Sequence, residues 1–241
     1  MGTLYVDTLE PEGGTTTLTV GETGQNTVIG GNTIKFNTLQ DAGGNAIFAS
    51  NGSGVLSSVN SSFGSALTLI QTQAFTDQAS VAFTSNIDST YGEYVFRFYG
   101  LNCATDAADF TFQVNASGET GYNETISSTC YTAEVAQDGT QRFLQYQASY
   151  DQLGGTSYQA LTIAQGNEAQ ECAAGEFHLF NPASTTYTKQ FYSNFQENHY
   201  GGRCWHAFAA GYIDVTAAIT QVDFKYSGGN FDGTIKLFGM K

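Results

Sequence analysis

In several stretches between residues 94 and 239, apolar side chains recur at every second position, and this spacing constrains the fold of the 241-residue chain more than any other feature. Tyr94, Phe96 and Phe98 alternate with Val95, Arg97 and Tyr99; Phe110, Phe112 and Val114 alternate with Thr111 and Gln113; Val222, Phe224 and Tyr226 alternate with Asp223 and Lys225. Successive side chains of an extended strand point to opposite faces, so a period of two places each set on one face of a half-buried strand. Further strands are predicted over residues 67–73, 80–84, 142–147, 158–164, 175–180, 187–195, 204–212 and 234–239, joined by turns containing Gly, Asn and Asp. Residues 214–219 have modest helical character, enough for one turn. The pattern predicts an all-β chain in which residues 66–241 form an antiparallel, jelly-roll-like β-sandwich.

Residues 1–63 have a different texture, with short apolar bursts and a 30-residue repeat. Sliding the chain by that period lays Thr3, Thr8, Leu9, Gly13 and Gly14 on Thr33, Thr38, Leu39, Gly43 and Gly44, with Leu4 on Ile34, Val6 on Phe36 and Leu18 on Phe48. Each copy reads as strand, Gly-Gly turn, strand. Two such units cannot bury their apolar faces on one another, so another chain is expected to supply the missing surface. Leu4, Val6, Leu9, Leu18, Ile34, Phe36, Leu39 and Phe48 are the residues expected to build that oligomerisation surface. Residues 50–65 are uncharged and rich in Ser, Asn and Gly, as a linker is. The predicted order is therefore a β-repeat stem over 1–49, a linker over 50–65 and a sandwich knob over 66–241.

Eight Lys and Arg stand against 22 Asp and Glu, a formal charge of -14. No basic cluster is readable along the chain, which argues against nucleic acid and anionic membranes as partners. No apolar run approaches the roughly 20 residues of a membrane helix, and no basic segment leads into an apolar one at the N-terminus, so synthesis in a cytosol is expected.

The densest polar and aromatic stretch is residues 197–206. His199, Tyr200 and Arg203 could form a hairpin tip that, with Trp205 and Tyr187, offers rings, a cation and amides to a sugar. Glu197, His199, Cys204 and His206 include metal-ligating types without the paired spacing of a zinc site. Asp106, Asp109, Asp151, Asn230 and Asp232 could hold calcium, but without an EF-hand spacing. No nucleophile elbow is present, and the three histidines have no carboxylate in a recognisable orienting pattern. Nothing selects a carboxylate pair for glycoside hydrolysis among the 22 acids. No catalytic residue, cofactor or metal is therefore expected. Cys103, Cys130, Cys172 and Cys204 are expected as free thiols in a reducing cytosol, and release into an oxidising medium would allow pairing, for instance of Cys103 with Cys130.

Two stretches carry a resemblance. TLYVDTLEP at the start, with NTLQDAGGNAIFASNGSG in the second repeat, is similar to N-terminal regions of tailed-bacteriophage virion proteins, particularly tail-fibre and appendage proteins of phages infecting marine bacteria. AAITQVDFKYSGGNFDGTIKLFG, residues 217–239, resembles the last two strands of a β-sandwich that recurs at the C-termini of such proteins. The resemblance implies a non-enzymatic virion structural protein: a homotrimer with an interlocked β-rich stem and a C-terminal knob, attached to tail or capsid proteins after assembly in the host bacterial cytoplasm. The chain is short for a complete fibre, which favours a spike, knob or decoration protein. Binding of a host surface glycan is the alternative, and glycan depolymerisation a third.

Overall fold

The structure, a computed structural model, describes residues 38–41, 43–50, 53, 56–59 and 66–240. The chain divides into two units, Met1–Phe63 and Gly64–Lys241. The division falls inside the predicted linker. All regular structure among the described residues is strand.

The first unit contains β1 (Thr38–Gln40), β2 (Ala46–Ser50) and β3 (Leu56–Val59), an antiparallel sheet in that order. The turn between β1 and β2 is built by Asp41, whose Oδ1 accepts the N–H groups of Gly43 at 2.9 Å and Asn45 at 2.8 Å. Gly44 supplies the positive φ of 80° that this turn requires. The hairpin predicted for the second repeat is thus present. Of the expected oligomerisation residues, Leu39 is 40% exposed and Phe48 half-buried; Leu4, Val6, Leu9, Leu18, Ile34 and Phe36 lie outside the described residues. None of the described side chains of this unit is buried.

The second unit runs β4 (Leu67–Gln78), β5 (Val81–Phe83), β6 (Glu93–Cys103), β7 (Phe110–Ala116), β8 (Ile126–Ala136), β9 (Arg142–Tyr146), β10 (Leu153–Gly155), β11 (Gln159–Ala160), β12 (Ala173–Phe180), β13 (Lys189–His199), β14 (Arg203–Ile213), β15 (Ile219–Tyr226) and β16 (Phe231–Met240). A nine-stranded sheet has the order β10-β8-β14-β13-β12-β6-β16-β4, with β9 also paired to β8, and a four-stranded sheet has the order β11-β7-β15-β5. Every pairing is antiparallel. The two inner faces meet through phenylalanines. Phe96, Phe98, Phe177, Phe191 and Phe195 of the large sheet interlock with Phe83, Phe110, Phe112 and Phe224 of the small one, the closest pair being Phe112 and Phe177 at 4.4 Å between centroids. Each such ring contributes about 1.5–3 kcal/mol by leaving water, and the edge-to-face contacts add to that.

A smaller cluster of Cys130, Ile163, Trp205 and Ala209 lies on the inner side of β8 and β14, with Tyr150 and Ala164 packed on it. Here the chain departs from the sequence reading. The strand predicted over 158–164 keeps only Gln159 and Ala160 in the ladder, because residues 161–166 cross the inner side of the large sheet instead. Residues 214–218 are irregular rather than helical. Lys189, fully buried, donates from Nζ to the carbonyls of Val215, Thr216 and Ala217 at 3.0, 2.9 and 2.6 Å, thereby taking up the carbonyls that a helical turn would have used. Strand β8 has no counterpart in the sequence reading.

Candidate functional site: the outer face of the large sheet

The five residues nominated for glycan contact divide between the two ends of β13. Tyr187, 73% exposed, precedes β13, and the strand itself spans about 33 Å. His199, Tyr200, Arg203 and Trp205 lie at the other end, around the β13–β14 turn. Two of these four are buried. Trp205 is buried, with His199 stacked on it at 4.2 Å, because Gly166 donates to the carbonyl of Asn198 and Tyr200 to that of Ala164, so that residues 161–166 cover this end. His199 Nδ1 accepts the Gly201 N–H at 3.0 Å, and burial, with the nearby Arg203, holds its pKa below the usual histidine value. Arg203 pairs with the buried Glu134 at 3.1 Å. Tyr200 alone of the four is well exposed, at 54%.

Several nominated polar groups are committed elsewhere. Asp109 accepts the Ala164 N–H at 2.8 Å, and burial pushes its carboxyl pKa up. Asp232 accepts from Asp77, to which Asn230 also donates. All four cysteines are free. Cys103 and Cys130 lie in different buried clusters, and desolvation pushes their thiols up to about 11 and about 12. No group of three or more His, Cys, Asp or Glu converges among the described residues. Glu197, inward on β13, takes the Ile163 N–H on both oxygens at 2.9 and 3.2 Å, and desolvation raises its pKa to about 8. This carboxyl is enclosed and 2% exposed, so its chemistry is structural.

A large share of the exposed side chains lies on the outer face of the nine-stranded sheet. The pairing registers bring one transverse row into line, from Thr72 on β4 through Lys236, Arg97, Glu176, Asn194, Phe208 and Tyr131 to Tyr146 on β9. With strands about 4.8 Å apart, the row is roughly 34 Å long. One half is aromatic. Tyr131 stacks on Phe208 at 5.0 Å, Phe208 on Tyr192 at 6.1 Å and Tyr192 on His178 at 4.2 Å, with planes within 26° of parallel. The rings therefore stand side by side on the sheet, with Tyr131, Phe208 and Tyr192 partly exposed and His178 buried.

The other half is cationic. Arg97 and Lys236 face each other directly across β6 and β16. Each lies over a ring on the opposite strand: Arg97 over Phe238 at 5.6 Å, and Lys236 over Tyr99 at 5.4 Å. Beside them is a depression of about 260 Å³ lined by Arg97, Tyr99, Ala174, Glu176, Asn194 and Gln196. Ala174, on the same face, fills little of it. Next to it, β6 carries an irregularity at Gly100, whose φ is 56°; bulges of this kind re-aim neighbouring side chains.

A second concavity, about 700 Å³, lies on the outer side of the small sheet between Thr111, Tyr150, Asp151, Tyr158 and Lys225. Its charged side chains are engaged within the fold: Asp151 accepts from the Tyr146 hydroxyl, and Asp109 from the Ala164 N–H. Tyr158 donates to Asp223 at 2.8 Å, and Lys225 sits over the Tyr158 ring at 3.8 Å. No family model, curated protein or solved structure matches the chain.

The sequence reading did not nominate Arg97, Tyr99 or Lys236. The available signal was a single cation on the polar side of an otherwise aromatic strand, Arg97 in β6 and Lys236 in β16.

Proposed function

We propose that the chain is a non-enzymatic structural subunit of a tailed-bacteriophage particle. In this reading the N-terminal stem attaches to tail or capsid proteins and associates as a homotrimer, and the sandwich is displayed as a spike tip, fibre knob or decoration. The observation that carries it is the contrast in burial between the two units. The sandwich closes a phenylalanine core of its own, whereas every described side chain of the first unit is exposed or half-exposed. A unit in that condition gains stability by burying apolar faces on other copies. Mass measurement of the full chain at micromolar concentration is expected to give a trimer, and residues 64–241 a folded monomer. A monomeric full chain would contradict the assembly reading.

A second reading, a host-glycan-binding module, is favoured by the outer face of the large sheet. Partly exposed rings, a cation pair and amides share one surface there, in place of the hairpin tip expected from sequence.

A further inference from the structure

We propose that the depression beside Arg97 binds a carboxylate-bearing saccharide such as a uronic acid unit. The inference rests on the glycan-binding reading and names its ligand class. Two observations carry it. The first is electrostatic. Like charges directly opposite on neighbouring strands are destabilising, yet this acidic chain sets two of its eight basic residues against each other at Arg97 and Lys236. Among the described residues, neither has a carboxylate within 4.0 Å. Glu176 is the cross-strand neighbour of Arg97 on the other side and lines the depression with it, with no carboxylate oxygen within 4.0 Å of the guanidinium. The sheet thus holds two facing cations, each set over a ring but without a carboxylate partner, an arrangement suited to an anion. A planar guanidinium grips a carboxylate through two parallel N–H groups.

The second observation is the pattern of hydrogen-bonding groups around the pair. Asn194, which lines the depression, turns its Oδ1 to His206 Nε2 and, among the described residues, has no hydrogen bond from its Nδ2 donors. Gln196 commits its Nε2 to the carbonyl of Trp205 at 2.7 Å, leaving its Oε1 as an acceptor. Donor and acceptor side by side suit the hydroxyls of a sugar ring, each of which both gives and takes a hydrogen bond. Tyr99, 45% exposed, adds an apolar surface at the rim. A simple carboxylate would use the cations and leave the amides idle. A neutral sugar would leave the cations without a counter-charge.

The test is calorimetric titration of the full chain at low salt with oligogalacturonate, with dextran oligomers of matched length and with oligoglutamate. Oligogalacturonate is expected to bind, and the other two to bind at least about tenfold more weakly. Arg97→Gln should weaken oligogalacturonate binding by about tenfold or more, and Lys236→Gln by a smaller factor. Both variants should move the urea midpoint little, because each removes a like-charge contact together with a cation–π contact. Lys225→Gln, on the other sheet, should bind as the parent does. Dextran binding as tightly as oligogalacturonate would overturn the acidic-ligand inference while leaving the glycan reading in place. Oligoglutamate binding equally well would reduce the site to an anion patch and overturn the inference. No binding of either saccharide would overturn the inference and remove the support for the glycan reading. A lowered urea midpoint in Arg97→Gln, with binding unchanged, would assign the cation to structure instead.

Discussion

The two faces of the nine-stranded sheet are made from alternate residues of the same strands and carry different chemistry. On β6, Phe96 and Phe98 point to the small sheet and are fully buried, while Arg97 and Tyr99 point outward and are exposed. On β12, Phe177 and Leu179 go inward, and Glu176 and His178 lie on the outer row. The inner face is uniform because burial selects for it: any apolar ring that fills space contributes, and a polar group there must bring its own partners. The outer face is mixed because water satisfies whatever is placed there. Side chains that persist on it against local cost, as Arg97 and Lys236 do, are the ones that call for a role.

Substitutions can break this comparison. The largest effect is expected inside, where Phe224→Ala should lose about 3–5 kcal/mol of unfolding free energy by urea denaturation, since its ring contacts Phe83, Phe96, Phe98, Phe110 and Phe177. Lys189→Met should cost about 2–4 kcal/mol, because three carbonyls lose a charged donor at once. Retention of full stability in that variant would show that water replaces the ammonium.

Glu197 gives a pH-dependent test. Its folded pKa lies near 8, above the ordinary 4.5 of an unfolded glutamate, so the folded chain holds the proton more tightly. Its contribution is fully present below about pH 4.5 and is lost as pH rises through about 8. Glu197→Gln should therefore remove a stability loss of the order of a few kcal/mol between those limits while matching the parent in acid. Parallel stability curves for the two proteins across that range would contradict the enclosed, protonated carboxyl. The smallest effect belongs outside: Tyr192→Ala should cost no more than about 1 kcal/mol, the value of ring contacts on a partly exposed surface.

The fold class was legible in the sequence because the core strands alternate cleanly, as in β6, β7 and β15. Strand β8 was not, and its residues explain why. Inward it carries Ile126, Ser128, Cys130, Thr132 and Glu134, and outward Ser127, Thr129, Tyr131, Ala133 and Val135, so its two faces are equally mixed and leave no period. The inward polar groups are tolerated because each has a partner: Ser128 bonds Gln159, Thr132 accepts from Gln147, and Glu134 holds Arg203 and Gln145. The candidate site was illegible for a different reason. Arg97 and Lys236 are far apart in the chain and meet only through the β6–β16 register, so reading charge along the sequence excluded a basic cluster that folding assembles across strands. His199 and Trp205 failed in the opposite direction. A hairpin tip reads as exposed, but residues 161–166 fold over this one.

The central claim is that the inner face of the large sheet holds the domain together while the outer face contributes little to its stability. Urea unfolding of Phe98→Ala beside Tyr99→Ala, neighbours in sequence on opposite faces, tests it most directly. The account predicts a loss of about 3–5 kcal/mol for Phe98→Ala and of no more than about 1 kcal/mol for Tyr99→Ala. Equal losses for the two variants would contradict it.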